Sequence, residues 1–160
     1  MFIRSTIARL PAVTAFALML AFAGKATAGP EDGVVRVKSA YSFQETITRL
    51  KADIAAKGIK FFSEIDQSKL AADAGITLHP STLLMFGNPP LGTQFMTSKA
   101  AAGLDWPVRL LVIRDKSGAV WAVYTDFNWI AERHGISDRN AQFQMASTVI
   151  ASIASSVKAK

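Results

Sequence analysis

Thr82-Leu83-Leu84-Met85-Phe86-Gly87-Asn88-Pro89-Pro90-Leu91-Gly92-Thr93 is the stretch on which the fold turns. An apolar run of strand type stops abruptly in a turn dense with Gly, Asn and Pro. Gly takes positive φ, Asn tolerates the left-handed region, and Pro fixes φ and removes a donor, so the shape of this turn is specified. Leu83 to Phe86 is apolar at every position, which predicts a strand covered on both faces. A shaped loop carried on a rigid strand is where binding residues concentrate. Beyond it, Gln94 to Ala102 reads as a short helix carrying Phe95 and Met96, stopped by Gly103.

Upstream, Gly33 to Ala40 alternates from Val35 to Lys38 and predicts a first strand. Ser42 and Glu45 form an S-x-x-E capping box. Phe43, Ile47, Leu50 and Ile54 follow at helical spacing, and Lys57-Gly58 ends the helix. Ile59 to Ile65 predicts a second strand with Phe61 and Ile65 on one face and Phe62 on the other. Asp66 to Gly75 predicts a turn and a short helix.

Downstream, Pro107 opens a fourth strand that continues through Val108 to Ile113. Asp115-Lys116-Ser117-Gly118 is a hairpin turn with Gly118 in the left-handed position. Val120 to Tyr124 returns as a fifth strand. Asp126 is the N-cap of a helix from Phe127 to His134, closed by Gly135. Ser137 or Asp138 caps a last helix to about Val157, with Phe143, Ala146, Ile150 and Ile153 on its apolar face. The order is β-α-β-β-β-β-α, and the hairpin makes this a single α+β domain with a largely antiparallel sheet.

The first 28 residues read as an address rather than as part of the fold. Arg4 and Arg9 precede an apolar stretch from Leu10 to Ala23, followed by Ala26-Thr27-Ala28. At about 14 residues this stretch is the size of a signal-peptide core, shorter than the about 20 that span a bilayer. The expectation is cleavage between Ala28 and Gly29 and a periplasmic or secreted domain over 29–160. No stable membrane span remains after cleavage; retention of the leader as an anchor is the alternative.

The chain holds no Cys, which excludes disulfides, thiolate metal sites, a Cys nucleophile and covalent c-type haem attachment. Of the 18 Lys and Arg, three (Arg4, Arg9, Lys25) lie in the leader; the remaining 15 face 12 Asp and Glu, a net charge of +3. These charges are spread and alternate in sign, so no clustered basic face for nucleic acid is expected.

Several motifs together resemble one family, the domain of unknown function 302 family. They are Ser81 to Pro89 with Gly92-Thr93, then Gly103-Leu104-Asp105-Trp106-Pro107, Tyr124-Thr125-Asp126, and Ala131-Glu132-Arg133-His134-Gly135. The resemblance spans roughly residues 34 to 157. It implies an antiparallel sheet packed with helices, often dimeric, and brings no established activity. It also implies a His after the acidic residue aligned with Asp66, where this chain has Gln67.

Candidate chemistry is sparse. His79 precedes Pro80 and reads as surface; His134 sits in the last turn of a helix, favourable with its dipole. Neither has the spacing of a metal motif. Met85, Met96 and Met145 read as core fillers. The turn is no P-loop, since no G-K-[ST] follows and Pro89 and Pro90 lack amide donors. Asp66, Asp105 and Asp126 flank strands and suit turn capping.

The residues named for ligand binding are Asp66, Asn88, Thr93, Tyr124, Asp126 and His134; no catalytic residue, metal ligand or cofactor is assigned. The leading expectation is a non-catalytic exported module that binds a small apolar ligand or a partner, as a homodimer. A hydrolase or isomerase using Asp126 and His134 near the Asn88–Thr93 turn is the alternative. A haem- or copper-associated module is third.

Overall fold

The computed structural model describes residues 32–159, so the leader and its cleavage point lie outside the described residues. Five strands, β1 (Val34–Lys38), β2 (Lys60–Asp66), β3 (Ser81–Gly87), β4 (Val108–Arg114) and β5 (Val120–Thr125), form one sheet in the order β1-β5-β4-β3-β2. Every pairing is antiparallel. The helices are α1 (Phe43–Ala56), α2 (Gln67–Asp73), α3 (Pro89–Ser98), α4 (Phe127–His134) and α5 (Asn140–Ser155), with a 3-10 segment at Ala100–Asp105.

Alternation along the strands sorts the sheet into two unlike faces. Thr82, Leu84 and Phe86 of β3, Leu110 and Val112 of β4, and Ala122 and Tyr124 of β5 are buried on one face. Against them pack Ile47, Leu50 and Ile54 of α1 and Phe143, Ala146, Ile150 and Ile153 of α5. Each large apolar side chain buried this way contributes roughly 1.5–3 kcal/mol. Phe95 of α3 stacks on Phe143 at 4.1 Å between ring centres, and Phe127 of α4 tilts against both.

Among the described residues, no second layer covers the other face. Ile65, Leu83, Met85, Leu111, Ile113, Trp121 and Val123 point there and stay half-buried. The expectation that β3 is covered on both faces is therefore corrected: among the described residues, α1 and α5 cover one face, and α2 meets the other at Ser81 while Leu83 and Met85 stay half-buried.

Three other differences have clear causes. The helix expected from Gln94 begins at Pro89, because Pro89 and Pro90 occupy its first two positions, where a missing N–H is harmless and φ is already helical. Asn88, held extended by the proline after it, is the N-cap and accepts from Leu91 N at 3.4 Å. In β2 the pairing shifts between Phe61 and Ser63, a bulge that changes side-chain parity. Phe61 therefore lies beside Phe86 on the helix-covered face and Ile65 beside Leu83 on the open one. Neither Ser137 nor Asp138 caps α5; Arg139 stands at that position, and Asp138 instead accepts from Ser98 Oγ at 2.6 Å and from Arg139 Nη1 at 2.7 Å.

The remaining elements follow their sequence signals. Ser42 caps α1 by accepting from Glu45 N, although the Glu45 carboxylate pairs with Arg49 rather than reaching back. Gly118 at φ 87° turns the β4–β5 hairpin and Gly135 at φ 61° ends α4. The expectation that Met85, Met96 and Met145 fill the core is corrected: none belongs to the buried cluster, Met85 points to the open face, Met96 is half-buried on α3, and Met145 is 58% exposed on α5.

Candidate functional site

The end of the sheet where β3 and β5 finish collects the unusual chemistry. Asp105 closes the 3-10 segment just before a cis Trp106–Pro107 bond and is buried. Its Oδ1 accepts from Arg109 Nη2 at 2.8 Å and from Arg133 Nη1 at 3.2 Å. Its Oδ2 accepts from Arg133 Nη1 at 3.1 Å and lies 2.7 Å from His134 Nε2. A carboxylate only accepts, so Nε2 is the protonated ring nitrogen in this contact.

Local structure places each partner. Asp126 starts α4 and Gly135 stops it, which puts Arg133 and His134 in its last turn, where cations meet the negative end of the helix dipole. Arg109 is the second residue of β4 and projects to the open face, opposite Met85. The His134 side chain is 7% exposed, and those of Arg109 and Arg133 are about half exposed. The histidine side chain is thus held inside the cluster.

Beside this cluster, the Gly87–Thr93 element forms a seat for Trp106. A Cβ added at Gly92 would fall inside the Trp106 indole, and one at Gly87 would lie 3.1 Å from its Nε1. Phe62 meets the same indole edge-on, with centroids 5.7 Å apart. Glycine is required at Gly92 because another ring occupies the side-chain position. Gly87, Asn88, Leu91, Gly92, Trp106 and Phe127 border an apolar cavity of about 40 Å³.

The residues singled out from sequence are mostly occupied in holding helices. Asp66 caps α2, accepting from Lys69 N at 2.8 Å and Ser68 Oγ at 2.7 Å, and these bonds hold its carboxyl below the usual range. Thr93 Oγ1 donates to the Pro89 carbonyl at 2.7 Å within α3. Asp126 caps α4, accepting from Asn128 N and Trp129 N. Tyr124 is buried, and burial, with Asp126 adding to it, pushes its phenol above the usual value.

Asn88, Thr93, Tyr124, Asp126 and His134 share one end of the sheet; Asp66 lies at the other, paired with Thr82 at the start of β3. The cavity takes in Asn88 but not Tyr124, Asp126 or His134. Asp126 and His134 stand at opposite ends of α4, about 12 Å apart along its axis at 1.5 Å per residue. They are not brought together as an acid–base pair. Gln67, at the position where the family resemblance implies a His, accepts from Ser81 Oγ at 2.7 Å and ties α2 to β3.

Sequence reasoning missed Asp105, Arg109, Arg133 and Trp106. Asp105 is no turn cap; it neutralises cations from β4 and α4. The available signal was the pairing of two recognisable segments, Gly103 to Pro107 and Ala131 to Gly135, carrying opposite charges. Among the described residues, no three His, Cys, Asp or Glu side chains converge as metal donors.

Four antiparallel pairings and helices on one face define a two-layer α+β domain. The chain belongs to the family described as "Domain of unknown function DUF302", which matches residues 35–156. A crystal structure of an uncharacterized conserved DUF302 protein from Bacillus stearothermophilus shares the fold, with a TM-score of 0.72 at 14% identity, covering 79% of this chain and 98% of that one. The chain is also 41% identical, over 106 residues, to the "Fluoride-specific ion channel FluC 1" of Brucella suis, covering 66% of this chain and 42% of that protein. The "Fluoride-specific ion channel FluC 2" of Brucella melitensis matches equally, over 39% of its length. The chain spans about two fifths of the length of the curated relatives it matches. No helix among its described residues is long and apolar enough to cross a membrane.

Proposed function

We propose that this chain is an exported, non-catalytic binding module that pairs with a second copy through the open face of its sheet. The observation that carries this reading is the contiguous apolar row Val123, Leu111, Leu83 and Ile65 across four neighbouring strands, flanked by Ile113, Trp121 and Met85. By strand spacing and rise, the five-stranded face measures roughly 500 Å². A standard interface takes about 800 Å² from each partner, so the rim must contribute. The connection that carries α2 offers it: Leu70, Ile76 and Leu78 are exposed along it, and Gln67 and Ser68 tie its start to Ser81 at the edge of the open face.

Arg36 pairs with Asp32 and Arg109 shares Asp105 with Arg133, while Lys38 and Lys60 border the same face with no carboxylate within 4 Å among the described residues. An apolar centre inside a charged rim is the anatomy of a protein–protein contact. The cavity beside Trp106 supports less: 40 Å³ takes the tip of an apolar group, not a whole drug-sized ligand. Export rests on the leader alone, and mass spectrometry of the exported protein is expected to find Gly29 as its first residue. Native mass spectrometry of that protein tests the module itself: a dimer supports it, and a monomer with no bound mass contradicts it.

The match to two fifths of proteins named as fluoride-specific ion channels favours a second reading, a module that docks on a membrane transport protein. Co-purification of the tagged chain with a channel-containing membrane fraction, lost in Leu111→Glu, is the result this reading expects.

A further inference from the structure

The geometry points to an oxyanion site at Arg109 and Arg133, taking the carboxylate or phosphate group of a small molecule. Asp105 supplies one negative charge to two guanidiniums, before His134 is counted. Among the described residues, neither guanidinium has another carboxylate within 4 Å. A buried carboxylate is compensated by one cation; the second is a surplus, and its repulsion from the first is relieved by a further anion.

The donors are also in place. Arg109 engages Asp105 through Nη2 only and Arg133 through Nη1 only, which leaves Nε and the other Nη of each outside that contact. Both bond to Asp105 Oδ1, so the two guanidiniums are neighbours, and both side chains are about half exposed. The Arg133 guanidinium is further steadied by the Trp129 ring, 5.5 Å from its centre. Two fixed, solvent-facing forks suit the planar or tetrahedral oxygens of carboxylate and phosphate. The hollow lined by Asp105, Arg109 and Thr125 is only about 10 Å³, room for one water, so the anion sits above it on the guanidinium edges.

This site does not depend on self-association, and a monomer would leave it intact. The test is titration of the full chain with inorganic phosphate and, separately, succinate at constant ionic strength, following the arginine Nε–H resonances by NMR. Saturable shifts at Arg109 and Arg133 are expected, weakened at least tenfold in Arg133→Gln, which keeps an amide donor for Asp105. The probe that saturates at lower concentration identifies the oxyanion class. Arg109→Gln is the second variant if Arg133→Gln loses its fold. Shifts that rise linearly and match those in chloride, or saturation unchanged in either folded variant, would overturn the proposal.

Discussion

The indole of Trp106 lies over the backbone of Gly92, so close that a methyl group on that α-carbon would fall inside the ring. This contact explains why the element after β3 has its composition. Asn88 and the two prolines start α3 at once, and the helix returns Gly92 beneath the tryptophan that precedes β4.

Gly92→Ala is therefore expected to destabilise the domain although Ala is the better helix former. Overpacking of this kind costs about 2 kcal/mol, well above the about 1 kcal/mol that Gly→Ala gains inside a helix. Urea unfolding followed by tryptophan fluorescence checks the sign; a more stable Gly92→Ala protein would refute the seat.

Asp105→Asn is the most damaging change expected in the ion cluster. It leaves two guanidiniums and a buried His134 without their carboxylate, a loss of about 3–5 kcal/mol for a broken buried pair. Arg109→Gln or Arg133→Gln removes a half-exposed cation and should cost about 1 kcal/mol or less. Thermal unfolding of the three variants should follow that ranking.

Asn88→Ala and Asp126→Ala each remove a helix N-cap, and about 1 kcal/mol of stability should go with each. Ligand affinity is the discriminating readout. If either variant lost binding while keeping its unfolding midpoint, that residue would have a role beyond capping.

Acid should loosen the β4–β5 hairpin. The Asp115 carboxyl is held down to about 2 by bonds from Ser117 Oγ and from Trp121 Nε1, at 2.6 and 2.8 Å. A lowered pKa in the fold adds stability above the unfolded value of 3.8, and this is lost as pH falls from there through about 2. The Trp121 indole N–H resonance should move in that window and remain still between pH 5 and 8.

Much of this fold was legible in the sequence because its signals are local. Ser42, Gly58, Asp126, Gly118 and Gly135 each mark a boundary through their own backbone chemistry, and the structure places them there. What failed was information held in a partner strand or a distant segment. The β2 bulge depends on pairing with β3, so Phe61 and Ile65 could not be sorted by alternation alone. β3 reads as apolar throughout whether its second face meets helices or remains open, which the strand itself does not encode. The ion cluster joins residues 28 or 29 positions apart in sequence, across three elements. The Gly135 stop marks His134 as a helix-end residue, but nothing local to Asp105 distinguishes the partner of that imidazole from a turn cap.

The proposed pairing of two copies through the open face of the sheet rests on the apolar row centred on Leu111. Light scattering of the mature chain over a concentration series, beside Leu111→Glu at the centre of the apolar row, measures it directly. A dimer is expected for the unaltered chain and a folded monomer for the variant. A monomer at every concentration, or a dimer that survives Leu111→Glu unchanged, would contradict it.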